Sequence, residues 1–335
     1  MNVTIKDVAK AAGVSVASVS RALNGHENVT DDTRRRIVGV AKRLRYMPNG
    51  TARSLITRRT HTIGAVLPDL HGEFFSELIR GMDSAARARG LHLLISSSHG
   101  SASGVGEVMR AMRGRVDGLL IMSPHADADV LADNLPTTLP TVLMNTRVPA
   151  GKYVSLSIDN YGGAYSMVQY LIHCGHRRIT FISGPANNFD ADERLRGYRD
   201  ALAKLRPDDA TTVFPGDFTE ESGYRAATHM CTLDNPPDAI FAANDMMAVG
   251  CLFGLTERGV SVPAQIALAG FDDIPIARFV HPPLTTVRVR IADLGRCALE
   301  RLAMQLEQTE IEAAFQPLLN CEIVVRMSSG DLRAG

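Results

Sequence analysis

The sequence is short of catalytic and structural-metal signatures. Its five cysteines, Cys174, Cys231, Cys251, Cys297 and Cys321, are scattered without a CxxC pair. That spacing excludes a zinc-ribbon type of site and gives no disulfide framework, and free thiols fit a reducing compartment. The ten histidines form no ligand spacing. The glycine-rich stretch from Gly100 to Gly106 lacks the Lys-Ser/Thr of a phosphate-binding loop and does not match GxGxxG. No GxSxG nucleophile elbow occurs. No cofactor, metal or catalytic machinery is therefore expected. No apolar run approaches the roughly 18–20 residues that span a bilayer, so no membrane partner is expected either. The chain opens directly in a capped, charged helix rather than a signal peptide, which makes a cytoplasmic, nucleoid-associated protein the expectation.

Net charge is also lacking, but only in the sum: 36 Lys and Arg offset 36 Asp and Glu. Residues 1–60 hold 12 basic against 4 acidic residues, leaving 24 against 32 in the remainder. A basic head on an acidic body supplies the sequence-independent attraction to phosphate that DNA binders use.

What is present begins at residue 4. In TIKDVAKAAGVSVASVSRALN, Thr4 and Asp7 have the spacing of a capping box. Ile5, Val8 and Ala9 make one apolar helical face. Gly13 suits the left-handed residue of a tight turn. Ser15 then caps a second helix, whose buried face is read as Val16 or Ala17, then Val19 and Leu23. Ser18, Ser20, Arg21 and Asn24 point outward, short hydroxyls and one forked donor suited to phosphates and base edges. An amphipathic hairpin without a ligand would share this core, yet it would not explain the coincident basic charge.

Thr30 is placed to cap a third helix, with Asp31 and Asp32 favourable to its dipole. Ile37, Val40, Ala41 and Leu44 form its core stripe and Pro48 is expected to end it. Asn49 can cap one more short piece, GTARSLI, too short to hold alone in water. Its Ala52, Arg53 and exposed Leu55 suit a segment that orders on DNA and wedges an apolar side chain into the minor groove. A plain linker is the competing reading.

From residue 61 the rhythm changes. TIGAVLPD, LHLLISSS, VDGLLIMS, PTVLMNT, VSLSID, RRITFISG, DAIFAAND and IALAGFDD are apolar runs separated by helical stretches. Runs apolar on both faces indicate parallel sheets wound by right-handed crossovers. Most end in a polar residue (Asp69, Ser97, Ser123, Asn145, Asp159, Ser183, Asn244, Asp272), and open α/β sheets bind ligands at these carboxyl ends.

The runs T-I-K-D-V-A-x-x-A-G-V-S-x-x-x-V-S-R-x-L-N, V-T-x-x-T-R and Y-x-P-N-x-x-A-R-S-L resemble the signature of the LacI/GalR family of bacterial transcription regulators. The resemblance implies a small all-α helix-turn-helix domain followed by an α/β, two-lobed, parallel-sheet, periplasmic-binding-protein-like (type I) effector domain. The expected division is a DNA-binding domain at 1–48, a hinge helix and linker at 49–60, and an effector-binding and dimerisation domain at 61–335. Its N-lobe is placed at about 61–159 and 290–320, its C-lobe at about 160–289 and 321–335. The resemblance further implies that Val16, Ala17 and Arg21 read bases. It assigns Thr4, Ser15, Ser20, Asn24, Asn28, Thr30, Thr33, Tyr46 and Asn49 chiefly to the DNA backbone, and Leu55 to a central operator step. Val16 and Ala17 offer no hydrogen bonds, so base discrimination should lean on Arg21.

In the body, the resemblance maps Arg194 onto an arginine that grips the effector, although on its own an arginine there could merely flank a helix. It maps Asn244 onto a ligand contact, with Asp245 capping the next helix. It maps Asp272 onto an acid that accepts from ligand hydroxyls or amines, and Phe218 onto an aromatic cover, with a core Phe as the alternative. Phe74 or Phe75 is expected to line the cleft. Asn145 departs from the aspartate common at that strand end, and Arg147 is a candidate to compensate.

The expected function is a repressor of carbohydrate-utilisation genes, a homodimer on a pseudo-palindromic double-stranded DNA operator, released by a sugar-like inducer. A C2 dimer is expected because no leucine-heptad extension is present. Corepression by a purine or another metabolite is the alternative. A transport solute-binding protein and a sugar-modifying enzyme fused to a DNA-binding domain are the competitors from other classes.

Overall fold

The computed structural model describes residues 3–23, 28–47, 59–125, 135, 139–146, 153–308 and 318–330. The chain forms two compact units that meet in sequence between Thr60 and His61.

Among its described residues the first unit holds three helices, α1 (Ile5–Ala12), α2 (Val16–Leu23) and α3 (Asp31–Arg43). The Asp7 carboxylate accepts from the Thr4 amide at 2.9 Å and from its hydroxyl at 2.7 Å, which fixes the start of α1. Gly13 ends it at φ 63°; its amide and that of Val14 close back onto Lys10 and Ala9. Ser15 Oγ accepts from Ser18 N at 3.1 Å and so caps α2. Val8, Val19 and Ile37 are fully buried where the helices meet. Each such side chain contributes about 1.5–3 kcal/mol relative to exposure.

Three expectations for this unit are corrected. Neither Val16 nor Ala17 is buried; the core side of α2 is Val19 and Ala22, with Leu23 half-covered. Thr30 stands at the start of α3, but its hydroxyl donates to Thr33 Oγ1 at 3.0 Å instead of accepting from the backbone. The helix ends before Pro48. Arg45 turns left-handed (φ 50°), while the Arg45 and Tyr46 amides bond Lys42 O and Ala41 O. This closure satisfies the terminal carbonyls without proline.

The second unit contains two six-stranded sheets. One has the order β11-β5-β4-β3-β1-β2, from β1 (Thr62–Leu67), β2 (His92–Ser97), β3 (Gly118–Met122), β4 (Thr141–Met144), β5 (Val154–Ile158) and β11 (Leu318–Leu319). The other runs β12-β10-β9-β8-β6-β7, from β6 (Ile179–Ile182), β7 (Thr212–Phe214), β8 (Ala239–Ala242), β9 (Ala267–Asp272), β10 (Thr285–Arg288) and β12 (Glu322–Val324). Among the described residues every pairing is parallel except β10 with β12. The eight apolar runs of the sequence all become strands. Four short ones, β7, β10, β11 and β12, are additional. The edge strand β2 departs from burial on both faces: His92 and Leu94 are exposed.

Helices α4 (Glu73–Ala88), α5 (Ala102–Met112), α6 (Asn160–His173), α7 (Phe189–Leu205), α8 (Glu220–Met230), α9 (Asp245–Glu257) and α10 (Ile291–Leu306) cover the sheets. Helices α8 and α9 approach backbone to backbone. A Cβ on Gly223 would stand 1.9 Å from Met247 O, and one on Gly250 1.9 Å from Glu220 O. That approach fixes the start of α8 against the start of α9.

Candidate functional sites: a DNA-reading head and a ligand cleft

In the head, α2 presents a surface with few internal commitments. Val16 is 41% exposed, and Ala17 and Arg21 are also exposed. Ser15 and Ser18 share a hydroxyl contact of 2.9 Å. Thr4 and Asn28 are exposed, whereas Ser20, Thr33 and Tyr46 are half-buried. The helix is held from behind: Arg34 of α3 donates to Ala22 O at 3.2 Å. With Ser15 at its cap, the N-terminal end of α2 is a favourable place for a phosphate. Asn24, Asn49, Ala52, Arg53 and Leu55 lie outside the described residues.

In the second unit a cavity of about 420 Å³ opens at the carboxyl ends of both sheets. The ends of β1, β2 and β3 supply Asp69, His99 and His125, and the first turn of α4 supplies Phe74 and Phe75. The facing sheet supplies Asn244 after β8, Asp272 at the end of β9, Asp190 and Arg194 from α7, and Phe218 to Glu220 leading into α8. This is where open parallel sheets leave room for ligands.

Arg194 organises the inner end and is only 3% exposed. Its Nε donates to Asn160 Oδ1 at 2.8 Å and its Nη1 to Ala243 O at 2.5 Å. Nη2 sits 3.0 Å from Asp272 Oδ1, an ion pair without hydrogen-bond alignment, since that oxygen has no hydrogen-bond partner. The guanidinium also stacks on Phe271 at 3.8 Å, with the Phe218 ring at 5.8 Å. A planar, delocalised cation can use edge and face at once. Burial pushes the Asp272 carboxyl up to about 6, although Arg194 opposes it.

Phe218 lines the cavity in a left-handed backbone conformation (φ 70°). Asn244 holds it there: its Nδ2 donates to Phe218 O at 3.0 Å, while its Oδ1 accepts from Met247 N at 2.9 Å and caps α9. The expected cap, Asp245, is a correction. It is buried, accepting from Thr286 Oγ1 at 2.6 Å and Ile274 N at 3.0 Å. Burial, reinforced by the Asp272 charge, raises its pKa well above the usual carboxylate range.

Asn145 is a second correction: it does not line the cavity but stands behind it. Its Oδ1 accepts from Ile158 N at 3.1 Å and its Nδ2 donates to Asp190 Oδ2 at 3.3 Å. Asp190, which accepts from Asn145 and lines the cavity, is a residue the sequence reading missed. Asp190 lies four residues before Arg194, hence on the same helical face, and that spacing was the available signal. Arg147 lies outside the described residues. Phe74, Arg194, Phe218, Asn244 and Asp272 all meet at the cavity.

Residues 4–49 match the family described as bacterial regulatory proteins, lacI family, and residues 168–329 match a periplasmic binding protein-like domain. The catabolite control protein A of Priestia megaterium is 32% identical over 95% of this chain and 97% of its own. This protein belongs to the LacI family. The ribose operon repressor of Escherichia coli (strain K12) is 35% identical over 92% of this chain and 94% of its own. A crystal structure of the lac repressor dimer bound to operator and the anti-inducer ONPF superposes with a TM-score of 0.87, at 26% identity, over 99% of this chain and 100% of that one. This LacI-family chain is thus a DNA-binding transcriptional regulator with an effector domain, not an enzyme. Among the described residues, no helix is long and apolar enough to cross a membrane.

Proposed function

We propose that this regulator represses carbohydrate-utilisation genes as a homodimer on a pseudo-palindromic operator, and that a sugar-like inducer in the cleft releases it. The observation carrying the effector reading is the Arg194–Asp272 pair at the inner end of a cavity roofed by Phe218. Vicinal hydroxyls both donate and accept, so they can donate to an ion-paired carboxylate oxygen that has no hydrogen-bond donor aligned on it, and an aromatic face suits the apolar side of a sugar ring. The ribose operon repressor among the relatives favours the same class.

In the head, Arg21 carries most base discrimination, with Val16 and Ala17 making apolar contacts. Thr4, Ser15, Ser18, Ser20, Asn24, Asn28, Thr30, Thr33, Tyr46 and Asn49 engage the backbone. Ala52, Arg53 and Leu55 form a hinge that orders on DNA, where Leu55 kinks the operator centre. The protein works on the bacterial chromosome in the cytoplasm. Regulation is a coupling free energy between the two sites, of the order of 1–3 kcal/mol.

The test combines a thermal-shift screen of sugars and nucleobases with operator titrations of each hit. A sugar that raises the melting midpoint and weakens operator binding supports the proposal. A hit that tightens operator binding replaces induction by corepression, and a purine as the only hit overturns the sugar reading.

A further inference from the structure

The cavity distributes charge unevenly. Among the described residues five carboxylates line it, Asp69, Asp190, Asp217, Glu220 and Asp272, against one guanidinium, Arg194. Most of these acids have local compensation. Asp69 accepts from the Leu70 and His71 amides; Asp217 accepts from Thr219 and pairs with Arg225 at 3.3 Å; Asp272 pairs with Arg194.

Asp190 is different. It is 6% exposed, and among the described residues its oxygens accept from two neutral amides, Asn160 Nδ2 at 2.7 Å and Asn145 Nδ2 at 3.3 Å. No cation lies within ion-pair distance of it among the described residues, although Arg194 is on the same helix. Arg194 is not free to swing across, because its three nitrogens are committed to Asn160, Ala243 and Asp272. Nearby Asp273 shows the alternative arrangement: Arg288 at 2.6 Å and Arg326 at 2.5 Å neutralise it from two sides. The inner end of the cavity therefore holds two desolvated carboxylates and one cation. A buried charge without a counter-ion is costly, and a binding site is where such a cost can be offset by a ligand.

We propose that the effector carries a protonated amine that reaches Asp190, making it an aminosugar in preference to a plain sugar. Ammonium and guanidinium together then balance Asp190 and Asp272, and Phe218 and Phe74 flank the sugar ring. The proposal rests on the sugar reading above and narrows it. Asp190 becomes the specificity-determining residue, with Asn145 and Asn160 holding its carboxylate in place.

The experiment measures binding of D-glucosamine, D-galactosamine and D-mannosamine to the full chain, each beside its parent hexose, by thermal shift and calorimetry at pH 7 and constant ionic strength. At least one aminohexose should bind about tenfold or more tightly than its parent, the margin of a charge-assisted over a neutral hydrogen bond. Asp190→Asn should abolish that preference, weakening the aminohexose at least about tenfold more than its parent. Equal or tighter binding of the parent hexose overturns the amine proposal and leaves the sugar reading standing. Failure of every sugar in both sets removes both. If Asp190→Asn weakens both sugars equally, Asp190 is structural and the proposal fails.

Discussion

The head and the cleft place their functional side chains in opposite circumstances. On α2, Arg21, Val16 and Ala17 stand in solvent, and the fold does not use them. In the cleft, Arg194, Asp190 and Asp272 are buried; Arg194 pairs with Asp272 and bonds Ala243 O, and Arg194 and Asp190 both bond the Asn160 side chain. Recognition and stability are separable in the first region and entangled in the second. DNA preference can change without endangering the head, whereas the inner end of the cavity is part of the core.

The largest effect that sharpens this contrast is Arg194→Ala. It leaves Asp272 without its ion-pair partner and orphans Asn160 Oδ1 and Ala243 O. The expected loss is about 3–5 kcal/mol, as for one partner of a buried pair, read by urea denaturation of the ligand-free protein. A loss below about 1 kcal/mol would break the comparison.

Arg21→Ala is the counterpart. Stability should stay within about 0.5 kcal/mol, while discrimination against a mismatched operator falls by about 1–3 kcal/mol. Salt-dependent binding to random DNA should persist. Unchanged selectivity in competition titrations would show that Val16, Ala17 and DNA shape do the reading.

A smaller effect is the pH dependence of the cleft. Burial raises Asp190 and Asp272 from 3.8 to about 6; the Arg194 charge opposes the shift in both, and Asp272 adds to it for Asp190. Between those values the folded state holds protons that the unfolded chain has released. Their contribution is therefore intact below about pH 4 and declines as pH rises toward 6. Asp7, whose carboxylate is bonded by the Thr4 hydroxyl and amide and held below its ordinary value, works oppositely in the head: its contribution is present above that value and fades as pH falls. Asp190→Asn should flatten the cleft's decline in melting curves from pH 4 to 6.5. An unaltered slope would assign it elsewhere.

The contrast also explains what the sequence disclosed. The head was legible because its signals are local: Thr4, Asp7, Gly13 and Ser15 act within a few residues of themselves. Its errors are local too. Periodicity allowed Val16 or Ala17 to face inward, and an arginine in left-handed backbone at 45 gives no compositional warning. In the body, long apolar runs announced eight strands, whereas the three-residue β7 and two-residue β11 are too short to carry a pattern. Arg194, Phe218 and Asp272 were reached through family resemblance. The placement of Asn145 was not reachable, because its partner Asp190 is 45 residues away and the bond exists only once both sheets have formed.

Asn244 sets a boundary on how this cleft can be altered. Its amide uses the oxygen end to start α9 and the nitrogen end to pin the backbone of Phe218. Aspartate would keep the first bond and turn the second into repulsion between two oxygens; serine is too short to span both. The position is thus a fixed bolt in the architecture. Redesign toward another ligand has its room across the cavity, at His71, Phe74, Phe75, His99 and His125, where side chains can be exchanged without unseating the roof.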